Sequence, residues 1–132
     1  MLERDVLEGH LRELGWIAKP QDNRTLRSEH ETAEGDVTIF VRLQDNWLIA
    51  SVVPFLSTKG KNTFELARWL LRVNRDMYQA KFCYDEDGDV VLTIELPTES
   101  IDPSEIRGAL MTLLEQAVAH RRTLRLASGG IS

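Results

Sequence analysis

The sequence predicts an α+β domain in which three helices pack on a single antiparallel sheet of about five strands, in the order α-β-β-β-α-β-β-α. Three stretches repeat apolar residues every three or four positions, which is the spacing of one helix face. Other stretches alternate apolar and polar residues, which is the pattern of a strand with one buried face. Because such strands have a single apolar face to bury, the helices are expected to cover that face.

The length of 132 residues, with 42% hydrophobic and 28% charged residues, fits one domain that needs neither a metal nor a disulfide to fold. We place this domain at residues 1–124. The end of the chain, residues 125–132, contains Ser128-Gly129-Gly130 and is expected to be a flexible tail.

Composition excludes several classes of protein. The net charge of −5 argues against nucleic-acid binding, which requires basic residues to neutralise phosphates. A single cysteine, Cys83, excludes a disulfide framework and a cysteine-cluster zinc site. No apolar run approaches the ~20 residues of a membrane-spanning helix, and no secretory signal follows Met1, so the sequence predicts a cytoplasmic protein.

The first helix is predicted by five apolar residues at helical spacing, and Gly15 is expected to end it. These five are Leu2, Val6, Leu7, Leu11 and Leu14. The chain from Lys19 to Asp36 is polar, and a short edge strand near Thr25 is expected there.

A strand hairpin is expected next, with its turn at Asp45-Asn46. The first strand directs Val37, Ile39, Val41 and Leu43 to one face and Thr38, Phe40 and Arg42 to the other. The return strand begins at Trp47 and is expected to end at Pro54 and Phe55, because proline cannot donate a ladder hydrogen bond.

The central helix is expected to be capped by Asn62, with Glu65 three residues later completing a capping box. Its apolar stripe is broader than a surface helix needs, so the helix is either sandwiched or reserves a face for a partner. The stripe consists of Phe64, Ala67, Trp69, Leu70, Leu71, Val73 and Met77.

The last three elements have clear boundaries. Asp87-Gly88 between two alternating stretches predicts a hairpin with a type I′ turn, and Pro97 ends its second strand. Asp102-Pro103-Ser104-Glu105 supplies the cap, the first-turn proline and the acidic residue of a helix start. The stripe of this helix is Ile106, Leu110, Leu113, Leu114, Ala117 and Val118.

No catalytic residue, metal ligand or cofactor site is predicted. The acidic stretch from Asp85 to Asp89 lacks a calcium loop's glycine and glutamate, since Val90 and Leu96 stand at those positions. Three isolated histidines, His10, His30 and His120, are expected at the surface. Cys83 lies in a strand without the motif of a thiol enzyme and is expected to pack as a small apolar group.

Two groups of residues leave alternatives open. Arg121, Arg122 and Arg125 either complement the dipole of the last helix or contact an acidic partner. Phe40 on the polar side of its strand, together with Trp47 and Trp69, indicates either an exposed patch for an interaction or a sheet with both faces partly covered.

The sequence resembles the YbjN-type domain, which is similar in fold to the class I chaperones of type III secretion. The resemblance spans residues 2–120 and is most specific in Asn74 of the central helix and in the strand-turn-strand segment from Ala80 to Leu92. It implies a compact, usually dimeric domain without enzymatic activity. Secretion chaperones hold an extended segment of another protein along apolar patches and a sheet edge.

We therefore expect a chaperone-like protein that binds a partner protein or peptide and forms a homodimer through the central helix and adjacent strands. We expect it to bind neither nucleic acid nor membrane. Phe40, Trp47, Phe55 and Trp69 are the candidate contacts. The alternative is a regulatory domain whose apolar surface closes into a small-ligand pocket, and the least favoured reading is a hydrolase that uses Cys83.

Overall fold

The structure, a computed structural model, describes residues 2–59 and 61–127. The predicted α+β class is confirmed, but the antiparallel sheet has six strands rather than about five. The strand that was not predicted is Ala18–Pro20, and its three residues are too few for alternation to be visible in the sequence. The elements are α1 (Arg4–Glu13), β1 (Ala18–Pro20), β2 (Thr25–Thr32), β3 (Gly35–Gln44), β4 (Trp47–Leu56), α2 (Phe64–Asp76), β5 (Lys81–Tyr84), β6 (Val90–Pro97) and α3 (Pro103–Ala127).

The strands lie in the order β1-β2-β3-β4-β6-β5, and all neighbours are antiparallel. Phe40 of β3 lies opposite Arg27 of β2 and Ser51 of β4, and Ser51 lies opposite Thr93 of β6. Because side chains alternate along each strand, this register puts all four residues on one face of the sheet.

The other face of the sheet holds the core, and all three helices pack on it. Strand residues with no exposed surface meet buried residues of α1, α2 and α3 there, as the alternating pattern predicts. The principal members are Leu26, Ile39, Val41, Leu48, Val52 and Leu92 of the strands, and Leu7, Leu11, Leu70, Ile106, Leu110 and Leu113 of the helices.

Strand β4 does not end at Pro54 as predicted. It continues to Leu56, and its register with β6 shifts between Val52 and Leu56. Val52 pairs with Leu92 and Leu56 pairs with Val90, so four steps on β4 match two on β6. The strand tolerates a proline because the ladder is already interrupted where Pro54 lies.

The cap of α2 is Thr63 rather than Asn62. The Thr63 hydroxyl accepts a hydrogen bond from the Leu66 backbone N–H at 3.1 Å. The helix directs Leu70 and Met77 into the core but leaves Phe64 and Leu71 72% and 70% exposed. The stripe predicted from the sequence therefore comprises two faces, one buried and one open.

The hairpin between β5 and β6 forms where it is predicted, but five residues, Asp85 to Asp89, connect the two strands, so the loop is longer than the predicted two-residue turn. Gly88 adopts a φ of +81°, and its N–H donates to the carbonyl of Asp85 at 3.1 Å. Asp85 also accepts from the N–H groups of Asp87 and Asp89, which suits the longer loop with a glycine in the left-handed region. The acidic stretch is thus a hairpin loop.

The start of α3 is confirmed. The Asp102 carboxylate accepts from the Ser104 N–H at 2.8 Å, while Glu105 accepts from the Asp102 N–H at 3.3 Å, which makes a capping box. The helix backbone continues through Ala127. Of the tail predicted for residues 125–132, residues 128–132 lie outside the described residues.

Candidate functional site

The sheet face opposite the helices is the candidate site, and we call it the open sheet face. It is built from the alternate residues of the strands, those that point away from the core. It includes Lys19, Thr25, Arg27, Glu29, Glu31, Asp36, Thr38, Phe40, Arg42, Trp47, Ile49, Ser51, Val53, Lys81, Cys83, Val91, Thr93 and Glu95.

Phe40 lies in the middle of the open sheet face and is half-buried by its neighbours. The Arg27 guanidinium lies over its ring, 5.7 Å from the centroid, and is held by Glu29 at 2.6 Å. Beside Phe40, the hydroxyls of Ser51 and Thr93 form a hydrogen bond at 2.9 Å. The polar groups around the ring therefore already have partners, and the ring remains available as an apolar contact.

Trp47 extends the apolar part of this face to the start of β4. It is 45% exposed and lies opposite Gln44 and Pro97. Ile49 and Val53 follow it on the same side of β4, and both are half-buried. Two of the four predicted contact residues, Phe40 and Trp47, thus share one face.

The other two predicted contacts lie on the helix side of the sheet. Phe55 is 3% exposed, with its ring 4.7 Å from that of Phe82, so it is a core residue and not a surface contact. The register shift after Val52 explains this, because simple alternation from Trp47 would have placed Phe55 on the open sheet face. Trp69 of α2 is half-buried against Phe82 and His120.

A second apolar surface lies on the side of α2 that faces away from the core, and we call it the α2 outer face. It consists of Phe64, Arg68, Leu71 and Arg75, which recur at spacings of three and four. Tyr78, just beyond the helix, is 89% exposed. Periodicity alone could not show which face is buried, because both sides of the helix carry apolar residues at spacings of three and four.

The outer edge of the sheet at β5 is closed by a side chain of α2. The Asn74 amide accepts from the Phe82 backbone N–H at 2.8 Å and donates to the Phe82 carbonyl at 3.0 Å, as a neighbouring strand would. Lys81 donates to the carbonyls of Asn74 and Met77 at the end of the helix. The sequence showed Asn74 as part of a family pattern but gave no physical reason for it.

The histidines His30 and His120 are half-buried, whereas the sequence predicted them at the surface. His30 packs against Trp16 with ring centroids 4.4 Å apart, and His120 packs edge-on against Phe82 at 5.5 Å. Burial lowers the pKa of both imidazoles, which favours their neutral form. The aromatic neighbours, Trp16 for His30 and Phe82 for His120, are distant in the sequence. Because no local pattern reveals such contacts, the burial of these histidines could not be predicted.

Cys83 is exposed on β5, so the prediction that it packs as a small apolar group is wrong. Its surroundings make the thiol a poor nucleophile. Desolvation, and then the carboxylates of Glu95 and Asp85, raise the pKa of its thiol. Within the described residues, no group of three histidine, cysteine, aspartate or glutamate side chains is placed to hold a metal ion. No helix in residues 2–59 or 61–127 has the length and apolar character to cross a membrane.

Arg121 has a structural role that neither predicted alternative included. Its guanidinium donates to the carbonyls of Asp36, Pro54 and Phe55 at 2.7, 3.2 and 3.2 Å and so ties α3 to β3 and β4. Burial lowers the pKa of this guanidinium. Arg122 pairs with Glu34 at 3.5 Å. The side chain of Arg125 lies outside the described part of the structure.

Several concave regions lie apart from the open sheet face, and two of them differ in the character of their lining. A cleft of about 670 Å³ at the start of α1 is lined mainly by polar residues, among them Arg4, Asp5, Asn23 and Asp45. A smaller cavity of about 330 Å³ lies between β4 and α3 and has an apolar floor of Phe55, Leu56 and Leu124.

Residues 3–126 match the family model of YbjN, whose description is "Putative bacterial sensory transduction regulator". Among solved structures, E. coli YbjN, "a putative transcription regulator", is 16% identical with a TM-score of 0.69, over 95% of this chain and 92% of that chain. A chain of the ExsC–ExsE complex is 18% identical with a TM-score of 0.65, over 89% of this chain and 90% of that one.

A chain of the heterodimeric ExoU–SpcU complex, from the type III secretion system of Pseudomonas aeruginosa, is 20% identical with a TM-score of 0.58. The match covers 89% of this chain and 93% of that chain. At these identities the likeness shows a shared fold. No match was found among curated proteins.

Proposed function

The chain belongs to the YbjN family, and on this basis we propose that it is a non-enzymatic, chaperone-like module that binds a segment of a partner protein on its open sheet face. The observation that carries the proposal is that the half-buried Phe40 and the exposed Trp47 share the sheet face that the helices leave open. The shared fold with ExsC, solved in complex with ExsE, and with the ExoU–SpcU heterodimer supports it.

The physical argument is that aromatic side chains held on a rigid sheet bind with little loss of conformational entropy. Phe40 and Trp47 are fixed by strands in the middle of the sheet, and Ile49 adds apolar area beside them. Aromatic residues surrounded by polar groups are typical of the centre of a protein interface. Arg27 and Arg42 supply such a polar surround here.

We propose that the α2 outer face forms a homodimer, as the family resemblance implies. Leu71 lies near the middle of the helix, so an antiparallel pair of α2 helices brings the two copies of Leu71 together at the twofold axis. Trp69 is half-buried on the other side of the same helix, against Phe82 and His120, and so lies outside this interface.

Site-specific photo-crosslinking in the native cell tests the partner-binding proposal. A photoreactive phenylalanine analogue replaces Trp47 on the open sheet face. In a matched control it replaces Met111 of α3, which is similarly exposed at 38%. We expect a specific adduct with another protein from position 47, identified by mass spectrometry, and none of that product from position 111. The same products from both positions, or none from position 47, would contradict the proposal.

The cavity under α3 favours a second candidate, a regulatory domain that binds a small ligand. Its floor contains Phe55, and its walls carry both signs of charge in Glu34, Lys59 and Arg121, so it suits a small apolar compound with polar groups at its rim. A thermal-shift screen with such compounds separates the two functions, since a ligand at 100 times its dissociation constant stabilises by about 2.7 kcal/mol. A hit that is lost in Leu56→Asp but kept in Trp47→Ser would favour the ligand-binding function.

A further inference from the structure

We infer that the partner segment binds as an amphipathic helix laid across the open sheet face, and not as a strand added to the sheet. This inference rests on the proposed function and names the binding mode and the chemistry of the segment. It follows from the state of the two sheet edges and from the charges on the face.

The first edge, β5, is closed to strand addition. A strand could add only through backbone groups that point outward, and those of Phe82 are already bonded to the Asn74 amide. Alternation leaves Tyr84 as the other outward-pointing residue of this four-residue strand. A single residue is too little for a stable strand pair.

The second edge, β1, is also poorly suited to strand addition. It contains three residues, Ala18–Pro20, and its last residue has no N–H to donate. Short edge strands that carry proline are a common protection against pairing with another chain. Neither edge therefore offers a partner segment a run of backbone hydrogen bonds.

A segment on the open sheet face must consequently satisfy its own backbone. Buried N–H and C=O groups without partners cost free energy, and side chains such as Phe40 and Ile49 cannot bond to them. A helix meets this condition because its backbone hydrogen bonds are internal. The apolar positions from Trp47 to Val53 span about 20 Å of strand, which matches a helix of about 13 residues.

The charges on the face define the polarity of that helix. Arg42 lies towards the Trp47 end of the sheet. Lys19 and Arg27 lie level with Phe40 in the middle, where Arg27 is already paired with Glu29. Glu31 of β2 and Asp36 of β3 are neighbours in the strand register and lie at the opposite end of the sheet. Glu95 on β6 limits the positive region to the β1–β3 side.

The complementary segment is an amphipathic helix with carboxylates near its C-terminal end and basic residues near its N-terminal end. The C-terminal end of the segment then lies over Arg42, and its N-terminal end lies over Glu31 and Asp36. The helix macrodipole favours the same direction, since its negative end is the C-terminus.

Selection from a displayed library of random peptides of about 16 residues tests the inference, the length being chosen to form a helix of this span. Clones are selected on the full-length protein and counter-screened on Trp47→Ser and on the matched control Met111→Ser. We expect clones that are lost on the first variant and kept on the second. Their apolar residues should recur every three or four positions, with acidic residues in the C-terminal half, and circular dichroism should show helix on binding.

A charge exchange gives an independent readout. Arg42→Glu should lower the affinity for such a peptide by about fivefold. Replacing the peptide's acidic residues by lysine should restore binding to this variant. Two results would overturn the helical mode while leaving the proposed function intact. One is a set of Trp47-dependent peptides whose apolar residues recur every second position, and the other is a failure of the lysine-substituted peptide to bind Arg42→Glu. If no clone depends on Trp47, the proposed function fails, and this inference fails with it.

Discussion

His30 and His120 show how the surroundings of a single side chain set its protonation. Each ring is packed edge-on against aromatic neighbours and keeps one polar partner, Ser28 for His30 and Gln116 for His120, both at 2.9 Å. Burial lowers the pKa of both imidazoles, so the folded chain resists the proton that the unfolded chain accepts.

This gives a prediction for pH dependence. The unfolded histidines take up protons as the pH falls through their ordinary pKa of 6.5, whereas the folded ones do so only at lower pH. Stability should therefore be complete above that value and decline as the pH drops below it, towards the folded-state pKa values. The urea midpoint measured at about pH 7 and about pH 5 reports the decline. His120→Phe, which keeps an aromatic ring beside Phe82, should reduce this pH dependence, and an unchanged dependence would contradict the assignment.

At the level of secondary-structure elements, α2 has three separate tasks. Its buried side, with Leu70 and Met77, packs in the core, and its outer face leaves Phe64 and Leu71 open. Near its C-terminal end, Asn74 completes the sheet by bonding to both backbone groups of Phe82. The helix therefore connects β4 to β5 along the chain and also protects the β5 edge from pairing with another chain.

Replacement of Asn74 should have two measurable effects. Asn74→Ala leaves a partly buried N–H and C=O of Phe82 without partners, and the expected loss is about 1–3 kcal/mol in the free energy of unfolding. The exposed edge should also increase association, which light scattering measures. Asn74→Asp is the matched variant: it keeps the acceptor for the N–H but repels the carbonyl, so it should remain destabilised. If Asn74→Ala has the stability of the wild type, the two hydrogen bonds between Asn74 and Phe82 do not contribute to the free energy of unfolding.

At the level of the whole molecule, the two apolar surfaces lie on different sides of the domain. The open sheet face carries Phe40 and Trp47, and the α2 outer face carries Phe64 and Leu71. A dimer formed through α2 therefore leaves the open sheet face accessible in both copies. Such a dimer would present two partner-binding faces.

The dimer proposal predicts a particle of about 30 kDa, twice the chain mass of 15.1 kDa. Leu71→Asp places a charge at the centre of the interface and should reduce the solution mass to that of one chain. Met111→Asp, an equivalent change on the exposed side of α3, should leave the mass unchanged. Sedimentation equilibrium measures both variants. A wild-type protein that stays at 15.1 kDa would refute the dimer but not the partner-binding face.

The sequence by itself determined the elements whose signals are local. The alternation from Val37 to Leu43, the Asp87-Gly88 hairpin and the capping box at Asp102 each depend on residues a few positions apart, and all three formed where predicted. It also predicted correctly that Phe40 points away from the core face of its strand, since alternation requires only the strand itself.

The tertiary structure decided what depends on distant neighbours. The register shift between β4 and β6 turned Phe55 into the core, and no pattern in β4 alone reveals a mismatch with a strand almost 40 positions later. The two faces of α2 separated only when one of them met the sheet. Asn74 acquired its role because the fold brought Phe82 beside it. A periodic pattern shows which side chains share a face, but packing decides which face is buried.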